Sequence, residues 1–219
     1  MKLFNRGASL RPSEPPVAPQ LPVAPSAFAP AGLPDPGLAA LTGEWEIDPA
    51  HSRIGFSVRH AMVTTVRGAF TEYQSRLYLD GRNPARSRAE IVLSTASVNS
   101  GVEQRDAHLV SRDFLDAATY PRMRFTSTAA QLAGTDVYRM TGDLTIKDTT
   151  RPLVLELTYI GHVTDPFGYE WVGFGGTTTI NRSEWGLTYN ARLAEGGAMV
   201  SDKVRLEFDI SAVRTAPVG

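Results

Sequence analysis

Cysteine is missing altogether from this chain. Disulfides, thiolate metal centres and cysteine nucleophiles are therefore excluded, and no mark of a redox compartment remains. Lysine is scarce, three residues against nineteen arginines, a bias that genomic base composition produces as readily as function. An excess of either sign is lacking too: 22 basic and 23 acidic residues give a formal net charge of −1. The basic residues are dispersed, which argues against nucleic acid as a partner, because neutralising phosphates needs a basic face. No apolar run approaches the roughly 20 residues of a membrane-spanning helix.

Catalytic motifs are equally sparse. The four histidines, His51, His60, His108 and His162, form neither an HxH nor an HExxH pattern, so spacing gives no support to a metal site. A GxSxG elbow is absent, which leaves a serine hydrolase unsupported. Gly173-Phe174-Gly175-Gly176 lies inside a strand pattern and lacks the following lysine and helix of a phosphate loop. No cofactor is expected.

Proline is plentiful but uneven: residues 1–43 hold nine of the 15. Runs such as Pro15-Pro16-Val17-Ala18-Pro19 are short of backbone donors and favour extended conformation. We read 1–43 as a disordered Pro/Ala-rich tail, or alternatively a docking segment, and 44–215 as one domain. Lys2 and Arg6 resemble the basic start of a secretory signal, but Asn5, Arg6 and Gly7 break the apolar stretch at once. The expectation is a cytoplasmic or membrane-peripheral protein, with export by a non-standard route left open.

From Glu44 onward the dominant period is two. Ile54, Phe56 and Val58 alternate with arginine, glycine and serine, and Tyr138, Met140, Gly142, Leu144 and Ile146 do the same. Leu153–Tyr159 and Val204–Ile210 repeat the pattern, which is how half-buried antiparallel strands read. Further strands are predicted at Gly68–Leu79, Ala89–Leu93, Met123–Ser127 and Val172–Ile180, with turns at Asp80-Gly81, Gly134-Thr135-Asp136 and Asp165-Pro166-Phe167-Gly168. Eight or nine such strands favour an all-β fold, closed into a single antiparallel barrel. One short helix is predicted from Ser100 to Ser111, opened by a Ser100/Glu103 capping box. Its apolar side, Val102, Leu109 and Val110, also carries Arg105 and Asp106, which must find partners if buried.

Each candidate side chain admits a plain reading beside a functional one. His51 and His108 read as structural, His162 as solvated on the polar face of its strand. His60 reads either as a rim residue touching a ligand head or as a hydrogen-bonded structural residue. Arg105 and Asp106 form either a head-group clamp or a buried pair anchoring the helix, and Arg182 would close the same network. Phe56, Phe70, Phe114, Phe125, Phe174 and Trp185 are either ordinary core or the wall of a cavity.

Several blocks together resemble the YceI-like family of polyisoprenoid- and lipid-binding proteins. They are Trp45, Asp48, His51-Ser52, Phe56 and His60; Gly68 and Phe70; Arg105-Asp106-Ala107-His108-Leu109; Asp113-Phe114; Tyr120-Pro121 and Phe125. Gly142-Asp143-Leu144-Thr145-Ile146, Pro152, Asn181-Arg182-Ser183 and Trp185-Gly186 follow in order, so the likeness spans roughly Glu44 to Val213. Lys147-Asp148 departs from it, standing where a small glycine-containing turn is expected. The resemblance implies a lipocalin-like barrel that carries or sequesters a polyisoprenoid, an isoprenoid quinone or precursor, or a fatty-acid derivative. The implied tail contacts are Phe56, Val58, Phe70, Leu109 and Phe114, together with Phe125, Met140, Leu144, Phe174 and Trp185. The head would lie near His60 or Arg105 and Asp106. An enzyme using the same cavity, with His60 or Asp106 as acid–base, is the alternative. Peripheral membrane contact and a homodimer stay open as partner expectations.

Overall fold

The computed structural model describes residues 36–194 and 196–215. Most of the expected tail thus lies outside the described residues. Its last part does not, and it is folded: Pro36–Leu41 forms a 3-10 helix whose Leu38 and Leu41 are buried in the core. The packed domain therefore begins before the Glu44 expected from composition, because two leucines among the prolines supply apolar surface worth burying.

Eleven strands follow in chain order: Gly43–Ile47 (β1), Arg53–His60 (β2), Thr64–Phe70 (β3), Tyr73–Leu79 (β4), Arg88–Ser94 (β5), Val98–Asn99 (β6), Arg122–Leu132 (β7), Val137–Ile146 (β8), Thr149–Thr164 (β9), Glu170–Asn181 (β10) and Val200–Arg214 (β11). Every pairing is antiparallel, and β1 pairs with both β4 and β11, which closes the sheet into a barrel. Six of the strands are halves of three interrupted staves. Along one side of β11 run first β2 and then β1, and β3 with β4, then β5 with β6, break at matching places. Counted as staves the barrel has eight, as the sequence predicts.

Local chemistry explains the breaks. At the first, Ser52 Oγ accepts the Ser211 N–H at 2.8 Å and donates to the Ser211 carbonyl at 3.0 Å, standing in for a backbone partner in the ladder. Asp48 and His51 close the excursion by a side-chain hydrogen bond. That bond, with backbone donors beside it, outweighs desolvation and holds the Asp48 carboxyl below the ordinary range. The second break divides the predicted strand Gly68–Leu79 at Thr71-Glu72, where Thr71 N–H donates to the Ser97 carbonyl and Glu72 N–H to Ser97 Oγ.

Two bulges set which side chains face inward. In β7 the register shifts between Ser127 and Ala129, so Thr128 and Ala129 are both exposed and Ala130 turns inside. In β9, Gly161 pairs with Gly173 and Tyr159 with Phe174, leaving Ile160 as the extra residue. The alternation beyond Ile160 is reversed.

The β8–β9 hairpin turns on Lys147-Asp148, and Lys147 has φ +55°. A non-glycine residue there is strained by about 1 kcal/mol. Lys147→Gly should recover part of that cost and raise the thermal midpoint by about 2 °C, checked by calorimetry.

The helix, Glu103–Val110 (α1), is shorter than predicted, and the capping box is not formed. Ser100 bonds Asp106 instead: its N–H donates to Asp106 Oδ1 at 2.8 Å, and its hydroxyl meets the same oxygen. Val102 takes the N-cap position without a side-chain bond. An aspartate one turn in competes with Glu103 for the serine, and the serine can satisfy only one of them.

Candidate ligand-binding site

The inward residues of the staves do not meet at the centre. They enclose a cavity of about 170 Å³, a size at which an apolar void stays dry and holds a hydrocarbon. Its wall combines Ile47, Leu77 and Leu93 with Met123, Met140 and Leu155 from β7, β8 and β9. Of the residues expected to hold a ligand tail, Phe70, Phe125, Met140, Leu144 and Phe174 stand on this wall. Phe174 meets Tyr138 and Tyr159 edge-on or tilted, with ring centroids about 6 Å apart, so part of the wall is aromatic.

The others stand elsewhere. Phe56 lies against Phe70, and its ring covers Gly68, where an added Cβ would collide with it. Val58 and His60 continue along β2 past the cavity, His60 opposite Val200. Trp185 is buried and donates to the Leu144 carbonyl at 3.0 Å. Phe114 packs against His108 and Tyr189, and His108 bonds Asp113 at 2.9 Å. Leu109 is half-buried against the core cluster.

Arg105 and Asp106 are joined through Ser100 rather than to each other. Arg105 Nε donates to Ser100 Oγ at 2.7 Å and Nη2 to the Ser100 carbonyl at 2.8 Å. Arg182 does not close that network. It is buried and donates to the backbone carbonyls of Leu187, Val200 and Ser201, holding the turn after β10. Neither His60 nor Asp106 lines the cavity, so the acid–base pair of the alternative reading shares no chamber with a ligand there.

Sequence reasoning missed the far end of the barrel. Because Ile160 is extra, His162 pairs with Val172 and turns inward instead of standing solvated on the polar face. There it meets Glu170 Oε2 at 3.0 Å, and the same oxygen receives Arg214 at 3.0 Å. The Arg214 guanidinium lies 4.3 Å over the Trp45 ring, and its side chain is only 5% exposed. It also donates to the carbonyls of Ala40 and Thr42, fastening the 3-10 helix across this end. Burial would raise the Glu170 carboxyl, but hydrogen bonds from Arg214 and His162, then their charges, hold it below its ordinary value. A depressed carboxylate contributes stability above its unfolded pKa and loses it as pH falls toward the folded one. Glu170→Gln should therefore flatten the loss of stability below about pH 4.5, read from urea midpoints across pH.

Among the described residues no His, Cys, Asp or Glu cluster is placed to hold a metal, and no helix is long and apolar enough to cross a membrane.

The model of the YceI-like domain matches residues 45–212. This chain belongs to the YceI-like family. A UPF0312 protein of Pseudomonas savastanoi pv. phaseolicola is 34% identical over 150 residues, covering 68% of this chain and 78% of that protein. One from Pseudomonas putida strain W619 is 31% identical over 177 residues, 80% of this chain and 88% of that one. Among solved structures, BcnA of Burkholderia cenocepacia superposes with a TM-score of 0.66 at 25% identity, covering 77% of this YceI-like chain and 99% of BcnA. The YCEI protein of Campylobacter jejuni gives 0.63 at 28%, covering 77% and 96%. A polyisoprenoid-binding domain from Saccharophagus degradans shares the fold, with a TM-score of 0.54 at 14% identity and coverage of 77% and 97%.

Proposed function

We propose that this YceI-like barrel binds a long apolar molecule and carries or sequesters it without chemical change. The candidates are a polyisoprenoid, an isoprenoid quinone or its precursor, or a fatty-acid derivative. The observation that carries the reading is the cavity itself, whose wall is almost wholly hydrocarbon and aromatic. Each methylene taken from water into such a space contributes about 0.8 kcal/mol, so the roughly six carbons that about 170 Å³ accommodates supply about 5 kcal/mol of gross binding without a charged contact, and the rest of a longer chain extends beyond the cavity. Part of that is offset by the cost of association and of ordering a flexible tail. The polyisoprenoid-binding domain of the same fold supports the choice of ligand class. Exposed Ile160, Val163, Phe167 and Tyr169 on the β9–β10 hairpin support loading from a membrane surface.

Native mass spectrometry of protein purified without denaturation is the direct test. The expected result is a bound lipid released by organic solvent and taken up again from an isoprenoid mixture. A protein that emerges empty and also refuses isoprenoids and fatty acids defeats the proposal.

A further inference from the structure

We propose that the ligand carries an oxyanion head, and that Arg88, with Arg82 and Arg86 beside it, receives that head where the cavity lining reaches the start of β5. The inference rests on reading the cavity as a lipid site. It follows from where the wall stops being apolar. The cavity lining includes only four residues with polar side chains, Asp80, Ser87, Arg88 and Tyr138; the first two belong to the β4–β5 connection and Arg88 is the first residue of β5. Arg88 is also the one lining residue that is exposed rather than buried or half-buried.

Asp80 and Ser87 serve the connection's own fold. Asp80 Oδ1 accepts the backbone N–H groups of Arg82 and Asn83 at 3.0 and 2.8 Å, and Ser87 Oγ accepts that of Asp80 at 2.9 Å. Arg88 is anchored differently. Its Nη1 donates to the carbonyls of Ala85 and Ser87 at 2.8 and 2.7 Å, which holds the guanidinium against the backbone of the connection. Among the described residues, Nε and Nη2 have no hydrogen-bond partner in the protein, so one edge of the fork stays available. Arg82 is exposed, and Arg86 reaches Asp80 Oδ2 at 3.4 Å. Residues 80–88 thus set three guanidinium groups against one carboxylate in a chain whose net charge is −1.

A guanidinium fork matches carboxylate and phosphate oxygens in pairs, and at the edge of a dry cavity its field is less screened than in open water. Arg88 stands at the opposite end of the barrel from His60, the end that the 3-10 helix crosses. Leu79 pairs with Gly43 beside the C-terminal end of β11, whereas His60 pairs with Val200 at its start.

Hexadecanoate and hexadecyl phosphate share the oxyanion, and hexadecanol lacks it. Displacement of an apolar fluorophore from the delipidated full chain at neutral pH compares the three. At least one anion should bind about tenfold or more tightly than the alcohol, and the better of the two identifies the head as carboxylate or phosphate. Arg82→Gln with Arg88→Gln should bring the anions to within about twofold of the alcohol, while alcohol affinity stays put and shows that the barrel is intact. Equal binding of all three by the unaltered protein, or a preference that survives the double substitution, overturns the head-group assignment alone. Failure of all three to bind overturns the lipid reading and this inference with it.

Discussion

Ala130→Trp should empty the barrel of ligand. Ala130 stands on the cavity wall, is 6% exposed and faces Met140 across the β7–β8 ladder. The bulge at Thr128 turns it inward, so an indole grown from its Cβ projects into the void rather than into solvent. Excluding three or four methylenes from the cavity removes about 3 kcal/mol of burial, more than a hundredfold in affinity. Stability should change much less, because the ring occupies space that is already open and the cost of overpacking is limited. Ala129 is the control. It is the exposed neighbour of Ala130 on the same strand, and Ala129→Trp should leave ligand uptake unchanged. Co-purified lipid measured by native mass spectrometry checks both. Undiminished lipid in Ala130→Trp would place the ligand somewhere other than this cavity.

Alternation carried most of the fold. In β8 and the first half of β9 the residues assigned inward by period two are the ones that point at the cavity or the core, and in β2 Ile54 and Phe56 do so while Val58 does not. Two things were illegible, for the same reason. A bulge adds one residue without asking for a particular side chain: Thr128 and Ile160 are ordinary strand formers, and nothing in their identity marks the shift of phase. Reading past Ile160 with an unbroken period therefore put His162 on the wrong face and hid its partners Glu170 and Arg214. The helix shows a different failure. Ser100 and Glu103 have the capping spacing, but Asp106 offers the serine a partner on the other side, and spacing alone does not rank the two. As for the site, aromatic and aliphatic wall residues could be assigned strand by strand. Which end of the barrel carries the guanidinium groups of Arg82, Arg86 and Arg88 could not, because both ends of a stave carry polar residues. The end is decided by pairings far apart in sequence, such as Trp45 with Arg214.

That pairing also marks the point where the fold should be most easily broken. Trp45 is 1% exposed, its indole N–H donates to the Leu41 carbonyl at 2.9 Å, and its face carries the Arg214 guanidinium. Trp45→Ala removes all three contacts at once. The cavity left by a buried indole costs about 4 kcal/mol. The Leu41 carbonyl loses its donor, which weakens the seat of the 3-10 helix. Arg214 is left over a hole, and its Nε already lacks a partner among the described residues. The thermal midpoint should fall by about 10 °C. Trp45→Phe keeps a ring under the guanidinium but not the N–H, so it should fall between the two, and the gap between Phe and Ala measures the ring's own contribution. Hydrogen exchange distinguishes a local loss from a global one. If the 3-10 helix is held by this indole and by Arg214, the amides of residues 38–42 should exchange faster in both variants, by a larger factor than those of β8 on the far side of the barrel. Equal acceleration everywhere would mean that Trp45 supports the barrel as a whole and that the helix across its end is fastened by Arg214 alone.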